Sequence, residues 1–363
     1  MRKYLQWVIS IAVSAIAFWL AFRGVQVAEV ADTLRTANYF YVLPALACIV
    51  VGLMARALSW QTILGRKVPF WRAFTALNEG YLLSNVLPFR LGELGRAYLV
   101  SRPLKGVFDN RGLSTSQAFS SVIVERMIDL CMIVVLFATV LPLVAGLAWA
   151  REAAVLAVVI SVAGMGGLFA LTLNRALVLR LARWVMGHVR LPWFNAARWE
   201  TRVVAFLDGL AALRDWRRFA LAALASATAW VSASLCAWIL MFAFLPAPTL
   251  PMGFFVLVIS GLGVALPSAP ASMGVFEASV VLALSAFKVD GSVAFTFALI
   301  FHTLNFGMTT VLGAAALGRE GETLSHLAQA ARGLMSGAER EAALVGAPRP
   351  NESGDPSSRS APE

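Results

Sequence analysis

Apolar residues along the chain are gathered into long blocks: Tyr4–Phe22, Phe40–Leu64, Met127–Leu147, Ala153–Leu173, Phe219–Leu245, Met252–Phe287 and Gly291–Leu317. Most reach the roughly 20 residues with which a helix crosses about 30 Å of hydrocarbon. The pattern predicts an all-α chain, a polytopic membrane helix bundle. Tyr4–Phe22 follows Met1-Arg2-Lys3 as a signal peptide would. Its apolar stretch is too long for one and no clear Ala-x-Ala site follows, so it is expected to be the first retained span.

Polar positions set the expected topology. One basic cluster holds Arg66, Lys67 and Arg72, another Arg102, Lys105 and Arg111, and a third runs from Arg175 to Arg218. The positive-inside rule puts these three, with the amino terminus, in the cytoplasm and residues 23–39, 148–152 and 246–252 outside. Two apolar stretches must then leave and return on one side, residues 73–101 from the cytoplasm and 252–287 from outside.

Proline breaks each returning stretch, in Leu87-Pro88-Phe89-Arg90 and in Leu266-Pro267-Ser268-Ala269-Pro270. A proline removes a backbone donor and interrupts a helix. The pair is therefore expected to form two oppositely oriented re-entrant, broken helical hairpins, a possible inverted repeat of the kind transporters place around a midplane site. Two ordinary kinked hairpins are the alternative.

Composition agrees. The chain of 363 residues is 59% hydrophobic and 14% charged, with a mean hydropathy of +0.75, more apolar surface than a soluble protein of that size buries. A net charge of +10 without a basic, aromatic-laced stripe or a recognisable module gives no nucleic-acid partner. Cys48, Cys131 and Cys236 are too scattered for a disulfide framework or a metal cluster, and neither metal nor cofactor is expected. Residues 1–318 are expected to form one transmembrane domain. Within it, residues 175–218, arginines mixed with Trp184, Trp193, Trp199 and Trp216, suit cytoplasmic interfacial helices or a solvated connector. Residues 319–363 read as a cytoplasmic tail, largely disordered.

Charged groups inside apolar segments are costly, so they pair or line a polar cavity. The first broken stretch holds Asn78, Glu79, Asn85, Arg90, Glu93 and Arg96; the next span holds Glu125, Arg126 and Asp129; later come Glu277, His302 and Asn305. Arg90 is expected to matter most, because a guanidinium beside freed amides and a half-helix amino terminus suits a phosphate. Glu93 and Arg96 can pair with each other or with Glu125, Arg126 and Asp129, and a purely structural network is the competing reading. Glu277 stands alone in its segment and requires a cation such as Arg90 or Arg96, a proton, or water. His302 and Asn305 sit one turn apart and bind a ligand or merely satisfy buried backbone. Arg56, near the end of its span, is expected to snorkel.

Asn78-Glu79-Gly80, the run from Pro88 to Arg96 (Pro-x-Arg-x-Gly-Glu-x-x-Arg), Glu125-Arg126-Met127-Ile128-Asp129 and the run from Pro270 to Glu277 together resemble the signature segments of the lysylphosphatidylglycerol synthase transmembrane-region, or flippase-like, family. The resemblance spans roughly residues 5–320. It implies a bacterial or archaeal plasma-membrane protein with about eight membrane segments that passes a lipid headgroup between leaflets. Two features depart from the family. The best-known members carry a soluble aminoacyl-transferase domain, whereas this chain ends in a short tail, so the lipid-modifying activity does not carry over. Ala271-Ser272 stands where Gly-Gly is common.

The leading expectation is a multi-pass bacterial inner-membrane flippase with both termini cytoplasmic. It would move or bind an anionic phospholipid or lipid-linked substrate at Arg90 and Arg96, with Glu277 at the opposite gate. A homo-oligomer or a lipid-synthesis enzyme is the expected protein partner. No Gly-x-x-x-x-Gly-Lys-Ser/Thr loop occurs, which argues against direct ATP use. An intramembrane lipid-modifying transferase is less favoured, since no metal-ligand spacing or nucleophile elbow is present. A non-transporting subunit of an envelope-synthesis complex is the third reading.

Overall fold

The computed structural model describes residues 2–87, 91–101, 113, 115–145, 148–188, 203–204, 207, 214–265 and 268–320. Within them every regular element is helical. The helices are α1 (Arg2–Phe22), α2 (Val27–Thr36), α3 (Val42–Ile63), α4 (Phe70–Val86), α5 (Leu91–Ser101), α6 (Thr115–Ala145), α7 (Ala148–Leu173), α8 (Arg175–His188), α9 (Trp216–Met241), α10 (Leu250–Val264), α11 (Val275–Ser285) and α12 (Gly291–Glu320).

Four segments within these, Tyr39–Ile63, Gln117–Val144, Trp216–Met241 and Gly291–Glu320, are long and apolar enough to cross a bilayer. A fifth arises if Ser10–Phe22 and Val27–Thr36, bent by 76°, count as one span. Large apolar side chains are turned outward, among them Ile16, Leu43, Leu130, Ile160, Leu224, Leu282 and Val311. Hydrocarbon tolerates such a surface and water does not. The interior is comparatively rich in small and polar groups, with Ser59, Thr62, Ser121, Ser234 and Thr296 all buried, as expected where helix association rests on close packing and hydrogen bonds.

Both proline-broken stretches consist of two consecutive short helices that pack on each other, α4 with α5 and α10 with α11. In the first, the contacts of Gly80 with Arg96 and of Gly92 with Ser84 pair rising with falling residue numbers, so α4 and α5 run antiparallel. Backbone meets backbone there: a Cβ on Gly80 would lie 2.9 Å from the Gly92 carbonyl oxygen. The turn Pro270–Ser272 between α10 and α11 packs against α4, which brings the two broken stretches together.

Around them α9 lies along α3, α12 along α4, and α5 beside α6. One apolar core, with Trp60, Leu77, Leu83 and Leu99, fills the space among α3, α4, α5 and α6. A second, with Leu240, Val256, Leu284 and Phe297, joins α9 to α12.

Three details differ from the sequence reading. Residues 23–39, expected as a plain outer loop, include helix α2 with Glu29 in its first turn and Arg35 in its last, a charge order that suits the helix dipole. Helix α6 begins at Thr115, well before the apolar block at Met127, and Ser121 in this polar stretch is buried and accepts from Trp60 Nε1 at 2.9 Å. The 148–152 connection is already the start of α7. The expectations for residues 321–363 and for most of 189–213 lie outside the described residues.

Candidate functional site

The principal ionic cluster is built from three helices that meet below Trp60 and Trp230. From α6, Glu125 and Asp129 lie one turn apart, and both are buried. Arg96 of α5 reaches Glu125 with Nη2 2.8 Å from Oε2, and its guanidinium sits 4.8 Å from the centre of the Trp60 ring. Arg56 of α3 donates from Nη1 to Asp129 Oδ2 at 2.8 Å and lies 3.6 Å from Glu125 Oε1. The other Asp129 oxygen accepts from Ser226 Oγ at 3.1 Å and Trp230 Nε1 at 3.0 Å, both on α9. Arg126 spans 3.3 Å to Asp129 and 3.6 Å to Glu93.

Three guanidinium groups therefore face three carboxylates. Burial grades across the cluster: Arg96 is 2% exposed, whereas the Arg126 and Glu93 side chains are 35% and 27% exposed. The Arg126–Glu93 edge is the open side. Arg96 and Glu125 meet as an ion pair without an aligned hydrogen bond: Nε, Nη1 and Nη2 of the arginine and both oxygens of the acid are buried without a hydrogen-bond partner among the described residues. Leaving buried donors unsatisfied costs about 1–3 kcal/mol, more on a charged group.

Glu93 and Arg96, one turn apart on α5, face different partners on α6. Arg56 was expected to snorkel and is instead a central member of the cluster. The signal that could have found it is charge counting: α6 brings two acids and one arginine into a dry segment, and a neighbouring span must supply a cation.

The remaining candidates fall elsewhere. Arg90 lies outside the described residues. Asn78 donates to the Phe74 carbonyl at 2.8 Å, and Asn85 donates to Thr309 and Thr310 at 3.2 and 3.0 Å, tying α4 to α12. Glu277 does not pair with Arg96. Its Oε1 lies 2.6 Å from His302 Nδ1, and its Oε2 accepts from the Gly274 amide at 2.7 Å, capping α11. His302 Nε2 lies 3.1 Å from the Ala271 carbonyl oxygen, so one imidazole holds both the turn and its cap. Asn305 takes no part, donating to the Phe301 carbonyl at 2.9 Å.

The family signature runs thus occupy the antiparallel α4–α5 pair, the acidic face of α6 and the α10–α11 turn. A family model described as the lysylphosphatidylglycerol synthase TM region matches residues 7–313. The chain belongs to that family. The match covers every described membrane helix except the ends of α1 and α12, so the lysylphosphatidylglycerol synthase TM region is the whole bundle, and the protein is a multi-pass membrane protein. No curated protein matches the chain.

A further arrangement explains the Ala271-Ser272 departure. Both residues have left-handed backbone, with φ of 56° and 60°, where glycine is at ease and residues with a Cβ are strained. Gly-Gly is what this turn would ordinarily require, and here His302 and the packing of α4 hold it without them.

Proposed function

We propose that this protein is a lipid flippase of the bacterial inner membrane, with cytoplasmic termini, that moves an anionic phospholipid or lipid-linked headgroup past the cluster on α3, α5 and α6. The observation that carries the reading is Arg96: a buried guanidinium that pairs with Glu125 by charge while none of its three nitrogens has a hydrogen-bond partner among the described residues. Phosphate oxygens match that planar fork. A headgroup entering at the Arg126–Glu93 edge would compete with Glu125 for Arg96, while Arg56 and Trp230 keep Asp129 occupied. Acyl chains stay against the outward-facing leucines and isoleucines. Arg90, adjoining the break after α4, supplies a second cation for the same phosphate, and the two broken stretches form the opposed re-entrant pair between which the headgroup passes.

The test is reconstitution into liposomes with a panel of anionic, zwitterionic and lipid-linked headgroup probes, read as leaflet exchange. Exchange of an anionic class, reduced at least tenfold by Arg96→Lys in a protein of unchanged melting temperature and also by Arg90→Ala, is the expected result. Chemical conversion of the lipid without exchange would replace this reading with a transferase, and neither exchange nor conversion would replace it with a non-transporting subunit.

A further inference from the structure

A second buried ionic group lies apart from the headgroup cluster, where α4, α5 and the end of α12 meet. Arg72 of α4 donates from Nη2 to the Leu99 carbonyl of α5 at 2.6 Å. Its Nη1 faces two acids, Glu79 Oε2 at 3.5 Å and Glu320 Oε1 in closer contact, with the Thr75 hydroxyl 3.4 Å away. Glu79 is 0% exposed and Arg72 5%, and the Glu320 side chain is 10% exposed. Two carboxyl groups therefore share one guanidinium in a dry pocket.

The acids converge on the same nitrogen, Arg72 Nη1. Two carboxylates are both acceptors, and nothing on either can donate to the other unless one carries a proton. The outer oxygens, Glu79 Oε1 and Glu320 Oε2, are buried with no hydrogen-bond partner among the described residues. No other ion pair to the three is present there: Glu93 and Arg96 of α5 belong to the other cluster, and Arg319, on the last turn of α12, pairs with none of them. A metal cation would sit against the Arg72 guanidinium and be repelled at low dielectric. A proton removes the surplus negative charge and supplies the missing donor in one step.

We propose that Arg72, Glu79 and Glu320 form a proton-binding site, in which a single proton is held between the two carboxyl groups and joins the end of α12 to α4. Binding forms one O–H bond on either acid and a hydrogen bond to the other, leaving one negative charge opposite Arg72. The site goes beyond the lipid reading and does not depend on it.

Infrared difference spectroscopy on the full chain in lipid nanodiscs at neutral pH tests the assignment. Wild type minus Glu320→Gln, and wild type minus Glu79→Gln, should each show one protonated-carboxyl C=O band that shifts in heavy water. Either substitution leaves one acid for one arginine, so the remaining acid ionises and the band is lost completely in both variants. The same band should be present in sodium and in potassium buffer. Absence of the band from the Glu320→Gln difference spectrum overturns the proposal, as does displacement of the band by sodium. Glu320 closes the last turn of α12 at the edge of the pocket, so its variant keeps the fold and decides the matter if Glu79→Gln does not accumulate.

Discussion

Arg96 on α5 and Glu125 on α6 stand 2.8 Å apart with both side chains withdrawn from solvent. Neither charge has an alternative in water, so the pair is worth most when one member is removed. A buried charge left alone costs about 3–5 kcal/mol, whereas replacing both partners together is close to neutral. Glu125→Gln should lower stability by that amount, and Arg96→Gln by less, because Arg56 and Arg126 each remain 3.6 Å from Glu125. The double variant should regain much of the loss, because the two amides can bond to each other. Thermal unfolding in a single detergent measures all three, and simple addition of the two losses would contradict the pairing.

Asp129 accepts from Arg56, Ser226 and Trp230, which join three helices at one carboxylate. Groups that share a network are coupled by about 0.5–3 kcal/mol. A cycle of Arg56→Gln, Asp129→Asn and the double variant should give a coupling in that range, while Trp230→Phe should cost about 1.5–3 kcal/mol for a hydrogen bond to a charged acceptor. Arg56 coupled to Asp129 by less than the scatter between repeat melts would restore the surface role that its position near a span end suggested.

The difference between those two readings of Arg56 shows what a sequence carries. Long apolar blocks located the helices, since length and hydropathy are local properties, and the signature runs identified the family. Partner choice is not local. Glu277 looked isolated because nothing near it in sequence is basic, yet α12 packs on α11 and presents His302 to it. Asn305, one turn from His302, points to its own helix backbone instead, a choice that spacing alone does not reveal. Glu320 lies beyond the matched family region and entered no motif, and only the packing of α12 on α4 makes it a neighbour of Arg72.

Ala271 and Ser272 hold left-handed backbone beside the cap of α11. The conformation costs a residue with a Cβ about 1–2 kcal/mol, so Ala271→Gly and Ser272→Gly should each raise stability, by roughly 0.5–1 kcal/mol once the added freedom of the unfolded glycine is subtracted. Ala271→Val should lower it, since branching at Cβ is least compatible with positive φ. Melting temperatures rank the three, and a loss of stability in both glycine variants would show that the turn is not strained.

Gly92 is the point where α5 lies against α4. A methyl group there would overlap the Gly80 carbonyl oxygen and the Ser84 hydroxyl, and backbone cannot yield as a flexible side chain can. Gly92→Ala must therefore push the two helices apart, at a cost at or above the 1–3 kcal/mol typical of overpacking. The displacement reaches Glu93 and Arg96, the next polar residues of α5, so any lipid exchange should fall together with stability. Gly166 on α7 has nothing within 4 Å of the position of a Cβ, and Gly166→Ala should be neutral or stabilising by up to about 1 kcal/mol through helix propensity alone. Equal melting temperatures for the two alanine variants would rule out the close approach of α4 and α5 on which the placement of Arg96 depends.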